Sequence, residues 1–167
     1  MKSDIRHIAL GLLLPALAVL AACTDSNCYD NGSAIPYTVF YTSGTTTERT
    51  IGGITIKGIG APGDTLLADN EIISDIYLPL RASTNETTYS FSWKNVSDSD
   101  TVAITDYVTL RYEPVVYFHS AECGAMYNFQ LTDIEHTTNG IDSVVAAKPL
   151  ITNSTDVALR IYFAQEE

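Results

Sequence analysis

Basic residues are scarce. Nine Lys and Arg stand against twenty Asp and Glu in 167 residues, for a net charge of −11. That balance argues against nucleic acid as a partner and against a polybasic membrane patch. No apolar run reaches the roughly 20 residues that cross a bilayer. The longest, Ile8 to Leu20, is interrupted by Gly11 and Pro15. No stretch sustains a 3.6-residue apolar period, so a helical domain is not expected. Neither C-x-x-C nor H-x-x-x-H spacing occurs, no G-x-S-x-G elbow is present, and no glycine loop is built to cradle a phosphate. These absences predict a chain with no metal, no cofactor and no catalytic centre.

What is present begins at the N-terminus. Lys2, Arg6 and His7 precede the apolar run, and Leu20-Ala21-Ala22 ends it in small residues. A basic start and an apolar stretch of this length read as a secretory signal over residues 1–22. The small residues run directly into Cys23, and Leu-Ala-Ala-Cys resembles the bacterial lipobox. The resemblance implies cleavage before Cys23, a diacylglycerol on its sulfur and an acylated new amino terminus, the two-signal anchoring that stable membrane attachment needs. Loss of Lys2, Asp4 and Arg6 with the signal takes the charge from −11 to −12. The expected organisation is a signal over 1–22, a lipidated tether over 23–34 and one domain over 35–167. Membrane contact is expected through the lipid alone. Thr24, where an inner-membrane retention signal would have Asp, favours the outer membrane. The single acid of "TDSN" (24–27) favours its periplasmic face.

Two cysteines remain, Cys28 and Cys123. An even pair in an oxidising compartment is most simply a disulfide. The alternatives are a metal site drawing on His119, Glu122, Cys123, Asp133 and His136, or a reactive thiol. Spacing supports neither.

The rest of the chain alternates with period two. In "ITIKGI" Ile54 and Ile56 share a face, in "TYSFSWK" Tyr89, Phe91 and Trp93, and in "VALRIYF" Val157, Leu159, Ile161 and Phe163. "IPYTVFYT" sets Tyr37, Val39 and Tyr41 against Thr38, Phe40 and Thr42. "SDIYLPL" aligns Ile76, Leu78 and Leu80, and "MYNFQLT" aligns Tyr127, Phe129 and Leu131. "TVAITDYVTLRY" turns Val102, Ile104, Val108, Leu110 and Tyr112 inward. Period two is the strand signature. Gly60 to Gly63 reads as a turn, Gly52-Gly53 as a bulge or turn, and Pro79 as a strand edge or bulge. Asn139-Gly140 reads as a hairpin between a strand ending at 136 and one starting at 141. Seven to nine short strands predict an all-β fold, a two-sheet antiparallel β-sandwich of immunoglobulin-like general shape.

Chemistry-bearing residues are sparse. His119 and His136 lie on either side of one expected strand and should sit at its opposite ends. The acid pairs Asp98/Asp100 and Glu166/Glu167 read as solvated surface. Tyr77, Tyr107 and Tyr162 fall on outward faces. Such rings can stack on sugars, though tyrosine is also a good strand residue.

The lipobox Cys23, the early Cys28, "IYLPL" (76–80), the stretch from Tyr112 to "FHSAECG" (118–124), "NGID" (139–142) and "RIYF" (160–163) together resemble a family of small Bacteroides-group lipoproteins of unknown function. The resemblance implies an envelope location and makes Cys28 and Cys123 the paired positions. It also implies O-glycosylation at Asp-Ser/Thr-apolar triplets, which here would modify Thr65, Thr101 and Ser143. The expected role is a non-enzymatic binding or assembly module whose partner is an envelope protein or glycan. The alternative is a β-sandwich enzyme or glycan-binding protein acting on envelope carbohydrate.

Overall fold

The computed structural model describes residues 33–60, 64–96, 101–121 and 123–165. The expected signal, Cys23, Cys28, Asp98, Asp100, Glu122, Glu166 and Glu167 lie outside them. Ten strands and no helix occur among the described residues: β1 (Tyr37–Thr42), β2 (Ile51–Ile59), β3 (Thr65–Ile73), β4 (Asp75–Tyr77), β5 (Glu86–Val96), β6 (Thr101–Ser120), β7 (Gly124–His136), β8 (Ile141–Ala146), β9 (Leu150–Ile151) and β10 (Val157–Phe163). They form a four-stranded sheet, β4-β1-β10-β8, and a six-stranded sheet, β3-β2-β5-β6-β7-β9. This is the expected all-β, two-sheet sandwich. All pairings are antiparallel except one, β1 with β10, which run parallel.

Each inner face follows the alternation. Ile54 and Ile56 from β2, Tyr89, Phe91 and Trp93 from β5, Val108, Leu110 and Tyr112 from β6, and Leu159, Ile161 and Phe163 from β10 are all buried in one core cluster. Phe40 of β1 crosses to Phe91 of the opposite sheet, at a ring separation of 6.4 Å, and packs on Phe163 of its own sheet at 5.2 Å. Phe163 in turn meets Trp93 edge-on at 5.2 Å. Ala34 is also in the core, 2% exposed, its N–H bonded to the carbonyl of Tyr127 at 2.7 Å. Gly52-Gly53 is a bulge: β2 and β3 slip register between Ile51 and Ile54, and Gly53 takes φ +66°.

Three expectations change. Val102 does not face the core; it is 55% exposed near the start of β6. That strand is also much longer than its alternation suggested, running through Pro114 to Ser120. Pro114 is tolerated because β5 pairs with β6 only as far as Arg111, so β6 has a single neighbour beyond it.

The third change concerns Asn139-Gly140, which is not a hairpin. The strands it joins lie in different sheets, β7 in the larger and β8 in the smaller. The segment is a corner from one sheet to the other, and Asp106 of β6 holds it. The Asp106 carboxylate, fully buried, accepts N–H bonds from Asn139 (2.8 Å), Gly140 (2.7 Å) and Ile141 (2.8 Å), and the Thr137 hydroxyl as well. Burial pushes this carboxyl up. The four hydrogen bonds outweigh burial and hold it below the ordinary carboxylate value.

Candidate binding face

The outer face of the smaller sheet carries four tyrosines. Register puts Tyr37 opposite Tyr77 and Tyr41 opposite Tyr162. Their rings associate in two tilted pairs, with centroids 5.0 Å and 5.5 Å apart. Between the pairs lies Val39, flanked in register by Asp75 of β4 and Arg160 of β10. Val39 is 3% exposed yet stands outside the core cluster. The outer-face side chains therefore cover it, and the opposite sheet does not. Tyr77 remains 48% exposed. Burial, and then the Asp75 carboxylate beside it, push the Tyr37 phenol above its usual range. The result is a flat surface of ordered aromatic rings with one acid and one base at its centre.

Tyr77 and Tyr162 thus face outward as expected. The sequence left open which side of β1 did so, and Tyr37 and Tyr41 join them. Tyr107, 46% exposed, lies on the larger sheet.

Three hollows among the described residues are small. One, of about 130 Å³, is lined by Leu67, Pro79, Leu80, Arg81 and Tyr89. A second, of about 150 Å³, lies beside Trp93 with Arg49, Asn95, Asn139 and Gln165. A third, of about 240 Å³ between β2 and β6, includes Asn70, Lys94 and Thr105. All are below the ~300–1,000 Å³ usual for small-molecule sites. In the first, burial raises the Tyr89 phenol strongly, and its hydroxyl donates to the Pro79 carbonyl.

The other candidate residues are dispersed. His136 pairs with Val108, whereas His119 lies near the far end of β6, next to the Phe118–Ala125 pair. From Val108 to His119 the strand rises roughly 36 Å, so the two imidazoles occupy opposite ends of the β6–β7 ladder as expected. Asp133 and Glu135 are engaged with Arg111 at 2.8 and 2.6 Å on the outer face of the larger sheet. No group of three or more metal-ligating side chains occurs among the described residues. Cys123 is half-buried in the turn after β6, its N–H bonded to the Ser120 hydroxyl at 3.1 Å. Thr65 is exposed at the start of β3. Ser143 is half-buried and pairs with Tyr162, at the margin of the tyrosine face. Thr101 opens β6.

Fold and surface together define an all-β, two-sheet protein with an aromatic outer face. Residues 53–163, from within β2 to the end of β10, match a family of unknown function (DUF6452), and the chain belongs to that family. No curated protein and no solved structure matches it. Tyr77 and Tyr162 fall inside the matched span; Tyr37 and Tyr41, on β1, precede it.

Proposed function

We propose that this protein is a lipid-anchored envelope protein, held at the periplasmic face of the outer membrane through Cys23, and that it works as a non-enzymatic binding or assembly module. The observation that carries the binding role is the tyrosine face, where two ring pairs enclose a buried Val39 outside the core. Aromatic surfaces ordered in advance lose little entropy on binding and are enriched at interfaces. The partner is an envelope protein or glycan, since tyrosine rings suit both. The lipobox carries the anchor.

A Cys28–Cys123 disulfide fits this reading. Ala34 is fixed to Tyr127. From Ala34 back to Cys28 the chain reaches up to roughly 20 Å, and from Tyr127 back to Cys123 a strand covers roughly 13 Å. The two cysteines can therefore meet within the ~7 Å Cα separation a bridge demands. Of the glycosylation candidates, Thr65 is exposed and Ser143 is half-buried.

The tests separate anchor from face. Wild-type protein should fractionate with membranes and Cys23→Ser should not; equal partitioning removes the lipoprotein reading. Detergent-solubilised wild-type protein should retain a stoichiometric envelope protein, or bind purified envelope saccharides in calorimetry. Tyr77→Ala and Tyr162→Ala should each weaken that binding. Unchanged binding in both variants would refute the face. Turnover of envelope carbohydrate would instead support the enzyme alternative, with the hollow beside Trp93 as its first suspect.

A further inference from the structure

The far end of the β6–β7 ladder projects from the sandwich. β5 stops pairing with β6 at Arg111, and β9 covers β7 only at Phe129 and Gln130. Beyond those points the two strands are paired with one another from Val115–Asn128 to Ser120–Gly124. The inner face continues along this projection. Tyr112, opposite Leu131, is buried; next come Val116, opposite Tyr127, and Phe118, opposite Ala125. Val116 is 60% exposed and Phe118 is 73% exposed. A core-facing strip thus runs past the edge of the opposite sheet and emerges uncovered.

What lies next to it is set by the chain. The N-terminal segment enters the fold on this projection: the Ala34 N–H bonds the Tyr127 carbonyl, and the Ser33 hydroxyl lies 4.0 Å from the Met126 sulfur. Nine residues, 24–32, separate Ser33 from Cys23. Even fully extended, they keep the lipidated residue within roughly 36 Å of Ser33. The projection is therefore where the tether to the lipidated residue leaves the fold, and it carries an exposed phenylalanine and valine.

We propose that the β6–β7 projection seats Phe118 and Val116 in the bilayer interface, a second, peptidic contact that fixes the orientation of the anchored domain. The inference rests on the lipoprotein reading.

The test uses full-length lipidated protein reconstituted into phosphatidylethanolamine/phosphatidylglycerol vesicles, with and without bromines on the acyl chains. Phe118→Trp introduces a reporter at an exposed position. Val102→Trp, near the other end of the same strand and also exposed, is the control. Trp93 is buried and contributes a constant background. An aromatic seated about 5–10 Å into the interface lies close to the bromines, so the Phe118→Trp emission should fall by about half. The Val102→Trp emission should not change. Equal quenching of the two reporters, or none, overturns the proposal. A blue-shifted but unquenched Phe118→Trp also overturns it, by showing that protein covers the strip. Cys23→Ser run in parallel keeps the two readings apart. If it floats with vesicles as wild type does, the anchor reading fails and takes this proposal with it. If it is released while Phe118→Trp stays unquenched, the projection alone is wrong.

Discussion

Thr38 and Gly140 show how single atoms decide this fold. Thr38 is fully buried in β1, and its hydroxyl oxygen has no hydrogen-bond partner. A buried, unsatisfied polar group costs about 1–3 kcal/mol. Thr38→Val keeps the shape and the β-branch and removes the oxygen. It should raise the urea midpoint without changing the slope, a gain of about 1 kcal/mol. A loss of stability would show that the hydroxyl is satisfied by water. Gly140 has the opposite sensitivity. A methyl group there would lie 2.5 Å from Trp93 Cζ2 and 3.1 Å from Ile104 Cγ2. Trp93 also packs edge-on against Phe163. Gly140→Ala should therefore cost about 1–3 kcal/mol by overpacking, read as a lower urea midpoint with a shifted Trp93 emission.

At the scale of elements, the strands were legible and their partners were not. The alternations of Ile54/Ile56, Tyr89/Phe91/Trp93 and Leu159/Ile161/Phe163 predicted the inner faces because each face is uniformly apolar. β1 was ambiguous for the converse reason: Tyr-Val-Tyr looks more apolar than Thr-Phe-Thr, yet Phe40 is the side that reaches the opposite sheet. β3 has no clean alternation, being an edge strand exposed along most of its length. The tyrosine face was legible only in part: Tyr77 and Tyr162 were placed outward, but their pairing with Tyr37 and Tyr41 depends on which strands flank β1, one of them in parallel from the far end of the chain. Asn139-Gly140 misled because the dipeptide reports a tight reversal and not which sheet the next strand joins. The missed signal was Asp106, an acid standing in the inward phase of β6. Its carboxylate gives the corner its acceptors, so Asp106→Asn, which offers one oxygen where there were two, should cost about 2–4 kcal/mol near neutral pH. The pH dependence has a definite sign. Because the folded carboxyl lies below its unfolded value of about 3.9, its contribution is complete above that pH and is lost as pH falls through the lower folded value. The gap between wild type and Asp106→Asn should therefore narrow below about pH 4, followed by urea titration of Trp93 fluorescence. A gap that stays constant to pH 2 would mean that the carboxylate is not the group holding the corner.

At the scale of the molecule, charge works against compaction. The chain carries −11 net, and Arg111 and Lys148 make their ion pairs at the surface. Arg111 faces three acids, Glu86, Asp133 and Glu135, and Lys148 faces Asp156, all with side chains 39–65% exposed. Exposed pairs of this kind contribute little and are screened as readily as the repulsion. Two opposed effects of salt can therefore be ranked. Screening weakens a few attractive contacts, and it also weakens the mutual repulsion of an excess of carboxylates spread over both sheets. The repulsion outweighs the few attractions, so added sodium chloride should stabilise the fold. As the Debye length contracts from about 30 Å at 0.01 M to about 3 Å at 1 M, the urea midpoint at pH 7 should rise steadily. The same series at about pH 4.5, where many carboxylates are protonated, should be nearly flat. A midpoint that falls with salt at pH 7 would reverse the ranking and make the Arg111 cluster a real support of the larger sheet. A rise of equal size at both pH values would point to salting-out of apolar surface, with the exposed Val116 and Phe118 strip as its first source.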